Sequence, residues 1–108
     1  MDRILIADQE NKIMRLAAEK LERAGYGVLR TTLDQSEILR AKADLIILYA
    51  HGDLFDALRE PLRARILVIF PHPNSYLEKY LRMNGVYCIS VLDTVDIVEI
   101  VSRVLSLP

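Results

Sequence analysis

Ala43-Asp44-Leu45-Ile46-Ile47-Leu48-Tyr49, near the middle of the chain, decides the fold. Its centre, Leu45–Leu48, is apolar at every position rather than at every second one. That is the pattern of a strand buried on both faces, as in a parallel sheet covered by helices. Ile4–Ala7 and Ile66–Phe70 have the same character. Two further runs differ. Gly27–Thr31 carries Arg30 and Thr31, and Val86–Val91 alternates as Val-Tyr-Cys-Ile-Ser-Val. Both have the composition of edge strands.

Amphipathic stretches separate these runs, with a repeat of about twenty residues. From Asn11 to Ala24, Ile13, Leu16, Ala17, Leu21 and Ala24 are spaced to line one helical face, and Gly25 ends the segment. Asp34 is placed to cap a short helix reaching Ala41. A third helix is expected near Leu54–Leu62, with Pro61 disturbing its last turn. Pro71 and Pro73 break the fourth run, Ser75–Asn84 reads as a helix closed by Gly85, and Asp93 or Thr94 caps a final helix to Leu105. Five βα units in succession imply one α/β domain over residues 1–108: a three-layer sandwich with a five-stranded parallel sheet and five helices. Strand order 2-1-3-4-5 puts the two polar runs at the edges, which is the flavodoxin-like arrangement. In such sheets the crevice beyond the carboxyl ends of the strands is where function is sought first. Here that rim is Asp8-Gln9-Glu10, Tyr49-Ala50-His51, Phe70-Pro71-His72 and Leu92-Asp93.

The bulk numbers narrow the function. With 52% hydrophobic and 27% charged residues the composition is that of a folded globule. Fourteen basic against fifteen acidic residues leave a net charge of −1, without the basic footprint of a nucleic-acid binder. No apolar run approaches the ~20 residues of a membrane span, and the stretch before Ile4 is too short for a signal peptide. A cytoplasmic protein is expected. Cys88 is the only cysteine, so it has no intramolecular disulfide partner and reads as an inert core thiol.

Almost the whole length resembles a response-regulator receiver (CheY-like) domain. Ile4-Leu5-Ile6-Ala7-Asp8-Gln9-Glu10-Asn11 is similar to that family's first strand ending in an acidic pair. Ala43–Tyr49 is similar to its third strand, and Asn84-Gly85-Val86 to the turn before its fifth. The resemblance implies phosphoryl transfer from a histidine kinase to an aspartate, assisted by Mg²⁺, in two-component signalling or a phosphorelay. It also implies where the chemistry belongs. Tyr49 stands at the place of the acceptor aspartate, and Gln9 replaces one member of the metal-holding pair, leaving Asp8. Phe70 replaces the Ser or Thr that binds phosphoryl oxygens, and Leu92 and Asp93 stand where a lysine and proline are usual. Ile89 occupies the aromatic switch position.

Elementary chemistry points the same way. Mg²⁺ prefers oxygen ligands with carboxylate charge, and Asp8 beside neutral Gln9 is at most a weak residual site. A phenol cannot form an acyl phosphate, and Leu92 brings no positive charge. Asp8, Gln9, Tyr49, Phe70 and Leu92 thus read as a degenerate phosphorylation pocket, with no catalytic residue, no cofactor and no committed metal site. The expected protein is a pseudo-receiver: not an enzyme, but a phosphorylation-independent interaction module. Tyr49 either mimics a switched state or plugs the vacated crevice. Alternatives are a small-ligand or cation sensor using Asp8, Tyr49 and His51, or a working phosphoacceptor protein whose acceptor lies elsewhere. His51 and His72 with Asp8 form a further, weaker metal candidate. Ser75 and Ser90 lack a base and orienter for nucleophilic chemistry, and no loop is glycine-rich enough to cradle a nucleotide phosphate.

The last two helices carry more apolar surface than one sheet face needs. Ile97, Ile100, Val101, Val104 and Leu105 form the core stripe of the final helix, and Val95 and Val98 widen it. Tyr76, Tyr80 and Met83 extend the apolar side of the helix before it, while Glu78, Lys79 and Arg82 oppose it. With Tyr87 on the intervening strand, Tyr76, Tyr80, Met83, Val95 and Val98 make a candidate interaction surface. The resemblance implies a protein partner there, with a homodimer through the fourth-helix, fifth-strand, fifth-helix face, while charge balance and run lengths point to neither nucleic acid nor membrane.

Overall fold

Burial on both faces governs how the apolar runs assemble. The protein is described here by a computed structural model covering residues 2–7, 11–31, 42–50, 65–72 and 75–107. The strands are β1 (Arg3–Ile6), β2 (Gly27–Arg30), β3 (Leu45–Tyr49), β4 (Arg65–Phe70) and β5 (Tyr87–Ser90). All pair in parallel, in the order β2-β1-β3-β4-β5. The all-apolar runs are the three central strands and the polar ones the edges, as the composition predicts. Leu5 is level with Ile46 and Ile46 with Ile66, so the centre of the sheet is an unbroken apolar row.

Alternation along each strand divides the core in two. Ile4, Ile6, Leu45, Ile47, Leu67 and Ile69 face one side. Helix α1 (Lys12–Arg23) covers them with Met14, Ala17, Ala18 and Leu21, and helix α3 (Ile97–Ser106) with Ile97, Val101 and Val104. Leu5, Ala7, Ile46, Leu48, Val68 and Phe70 face the other side, where helix α2 (Ser75–Met83) contributes Leu81. The helices expected over Asp34–Ala41 and Leu54–Leu62 lie outside the described residues.

Local chemistry sets the ends of these elements. Asn11 is the N-cap of α1, its side-chain oxygen accepting from the amides of Ile13 and Met14 at 2.8 and 3.2 Å. After α1 and α2 the chain turns through Gly25 and Gly85, at φ +97° and +79°. In both turns a paired closure follows: Gly25 and Tyr26 donate to Glu22 and Leu21, and Gly85 and Val86 donate to Arg82 and Leu81. Arg65, at the start of β4, donates from its guanidinium to the Val104 and Leu107 carbonyls at the end of α3.

Two sequence expectations are corrected. The buried face of α1 is Met14, Ala17, Ala18 and Leu21, a spacing of three and four, while Leu16 and Ala24 are exposed. The final helix is not capped directly by Asp93 or Thr94. Ser90 and Asp93 instead form a capping box, in which the Ser90 amide and hydroxyl both donate to one Asp93 carboxylate oxygen at 2.9 and 3.1 Å. That box opens a 3-10 helix over Val91–Asp96, and α3 begins only at Ile97.

The rotated face of α1 is open to measurement. Leu21→Ala removes a fully buried side chain and costs about 2–5 kcal/mol in chemical denaturation, whereas Leu16→Ala costs about 1 kcal/mol or less. Asn11→Ala, which removes the cap, costs about 1 kcal/mol.

Candidate functional site

The carboxyl ends of β1, β3, β4 and β5 form the rim where the sequence places its candidate pocket. Tyr49 closes β3 level with Ile69 of β4. Its ring packs, half-buried, on the larger core cluster beneath α1 and α3. Phe70 is the last residue of β4, one step further along, and side chains one step apart point to opposite faces. It is 2% exposed and belongs to the other core cluster, with Leu48 and Leu81. The Ala50 amide binds the Ile69 carbonyl at 2.9 Å, so the backbone pairing continues past Tyr49. Leu92 stands on the first turn of the 3-10 helix, 85% exposed.

Of the five candidate pocket residues, Tyr49, Phe70 and Leu92 therefore occupy three separate environments. Tyr49 fills space on one face of the sheet, Phe70 is part of the core on the other, and Leu92 points to solvent. Asp8 and Gln9 lie outside the described residues, as does His51, and His72 is exposed. Among the described residues no three His, Cys, Asp or Glu side chains cluster as metal ligands would. Ile89 is half-buried against the larger cluster.

The candidate interaction surface separates into parts. Tyr76, Tyr80 and Met83 are exposed on α2, and Val95 is exposed on the 3-10 helix. Tyr87 and Val98 are half-buried against the larger core cluster. At about 100° per residue, Tyr76, Tyr80 and Met83 fall within about 60° of one another and roughly 100–160° from Arg82. Arg82 reaches β5 itself, donating to the Cys88 carbonyl at 3.0 Å. The aromatic stripe is thus on the flank of α2 turned away from β5.

A groove of about 350 Å³ runs along the β5 edge, lined by Arg82, Val86, Tyr87, Ile89, Ile100 and Val104 among others. Ile100, taken from sequence as a core residue, is the part of α3 that borders this groove. Val98 is about 160° round the helix from it. Strand and helix periods alone show which side chains share a face, but not which flank meets the neighbouring strand.

Cys88 is buried at this edge. Burial pushes its thiol up from the ordinary value, the Arg82 guanidinium pulls it down, and the Glu78 carboxylate pushes it up. No helix among the described residues is long and apolar enough to cross a membrane.

With this geometry in place, the chain can be set beside known structures. Over 97% of its length it matches a response regulator receiver domain protein (CheY-like) from Methanospirillum hungatei JF-1, covering 94% of that chain at 20% identity and a TM-score of 0.78. A response regulator protein from Burkholderia pseudomallei, solved with a phosphorylated aspartic acid, calcium ion and citrate, matches over the whole chain and 76% of its own. That match has 19% identity and a TM-score of 0.64. No protein-family model and no curated protein matches the sequence. The fold is therefore that of the receiver domains of two-component response regulators.

The Cys88 environment predicts a pH dependence. In the unfolded chain the thiol ionises at its ordinary value, and in the fold it holds its proton to higher pH. The stability this contributes is full below the ordinary thiol range and is lost as pH rises through the folded value. Thermal denaturation between about pH 7 and 10 shows that loss in the native sequence and a flatter profile in Cys88→Ala. Native Cys88 also reacts with thiol reagents more slowly than the unfolded chain.

Proposed function

We propose that this chain is a pseudo-receiver, a non-catalytic module that works through protein contacts without being phosphorylated, in cytoplasmic two-component-type signalling. The observation that carries the reading is Tyr49, at the carboxyl end of β3 and packed on the core where the receiver resemblance puts an acceptor aspartate. In the Burkholderia pseudomallei response regulator an aspartic acid bears the phosphoryl group with a calcium ion present. Tyr49 offers neither a carboxylate to take the phosphoryl group nor carboxylate charge to draw a divalent cation.

The surroundings support the same reading. Phe70 is sealed in the opposite core, and no hydroxyl at that position hydrogen-bonds a phosphoryl oxygen. Leu92, exposed and uncharged, does not neutralise developing negative charge as a lysine would. What the rim lacks in chemistry, the flank supplies in apolar surface. Exposed tyrosine and methionine are residue types enriched at interface cores, and Tyr76, Tyr80 and Met83 gather on α2.

The test is amide NMR in the presence of Mg²⁺ and beryllofluoride, an acyl-phosphate analogue. The reading expects the resonances of Asp8, Tyr49, Ala50 and Phe70 to stay in place. Saturable shifts concentrated at Asp8 and Tyr49 would overturn it.

A further inference from the structure

β5 is the last strand in the sheet order, paired with β4 on one side. The run it belongs to, Val86-Tyr87-Cys88-Ile89-Ser90-Val91, holds no charge, no proline and no glycine. A six-residue stretch of that composition, rich in β-branched and aromatic side chains, is the type that takes on further strands along an open edge. The groove beside it is apolar as well, bordered by Val86, Tyr87, Ile89, Ile100 and Val104. Two charged side chains nevertheless meet the backbone here. Arg82, in the last turn of α2, donates to the Cys88 carbonyl at 3.0 Å. Asp93, on the 3-10 helix, accepts from the Ser90 amide at 2.9 Å. Successive residues of an edge strand turn their backbone groups alternately toward the sheet and away from it. Cys88 and Ser90, two residues apart, share the outward side, and it is there that the two side chains bind.

We infer that Arg82 and Asp93 close the β5 edge against an added strand. A strand laid along β5 has to donate to the Cys88 carbonyl and accept from the Ser90 amide, the two groups that Arg82 and Asp93 hold. It would have to displace a guanidinium and a carboxylate, and hydrogen bonds to ionised groups are stronger than those between neutral amides. One guard comes from the helix before β5 and the other from the 3-10 helix after it, so the short strand is covered from both ends by residues close to it in sequence. The edge thus carries a strand-pairing sequence and yet presents side chains, not backbone, to whatever approaches it.

The experiment opens the edge. Arg82→Met removes the donors and keeps an apolar stem, and Asp93→Ala removes the acceptor. Lys79→Met is the control on the same helix: it loses the same charge and gains the same side chain, but leaves both backbone groups held. Circular dichroism confirms that each variant folds. Sedimentation velocity measures self-association, and amide hydrogen exchange at low and high protein concentration locates it. Arg82→Met is expected to self-associate about tenfold or more tightly than the native chain, and the doubly substituted protein more tightly still, while Lys79→Met stays at the native level. In the doubly substituted protein, exchange of the Cys88 and Ser90 amides slows as concentration rises, because an incoming strand pairs with them. A folded Arg82→Met that associates no more tightly than the native chain, or than Lys79→Met, overturns the inference. So does association that leaves exchange at Cys88 and Ser90 unchanged. If the double substitution does not fold, the comparison of Arg82→Met with Lys79→Met decides alone. None of these outcomes bears on the phosphorylation site, so failure here is distinguishable from failure of the pseudo-receiver reading.

Discussion

Burial of the central strands on both faces is the constraint on which the rest of the structure depends. Ile4, Leu5 and Ile6 are fully buried in succession, as are Leu45 to Leu48 and Leu67 to Ile69. An antiparallel sheet with one wet face cannot accommodate such runs. At roughly 25 cal/mol per Å² of apolar surface, leaving either side uncovered would cost several kcal/mol. Helices must therefore lie on both faces, and the crossovers that place them there force the strands to run parallel. The sequence order of the strands then leaves β2 and β5, the least apolar, at the edges.

The same constraint governs the rim. At the last turn of β3 and β4 the alternation that builds two cores still operates. It sends Tyr49 under α1 and α3, and Phe70 under α2. A polar site at this place needs side chains that leave the core and converge above the sheet. Here Tyr49 and Phe70 extend the two cores up to the rim. Large apolar side chains that neither core takes stand exposed on helix surfaces whose sheet-facing sides are already filled by Leu81, Ile97 and Val101.

Strand order and fold class were legible because they follow from composition: Arg30, Thr31 and Ser90 mark edges, and continuous aliphatic runs mark the centre. Gly25 and Gly85 were legible as helix ends because left-handed backbone favours glycine. Less was legible where tertiary pairing decides between local options. Asp93 is an acceptable helix cap in isolation, but β5 delivers Ser90 to the spot where the two form a box and open a 3-10 turn instead. Leu16 matches an amphipathic face, but the two flanking alternatives, Met14 and Ala18, are the ones that meet the sheet. At the site, the identities of Tyr49, Phe70 and Leu92 were readable. Their separation onto two sheet faces and a solvent-exposed turn needed the β3–β4 register.

The central claim is that this receiver fold carries no phosphoacceptor, and intact-mass spectrometry addresses it most directly. The purified chain is incubated with acetyl phosphate and Mg²⁺, and its mass is compared with an untreated control. The account predicts no species heavier by one phosphoryl group at any time point. A stoichiometric adduct that base and hydroxylamine remove, as they do an aspartyl phosphate, would contradict it.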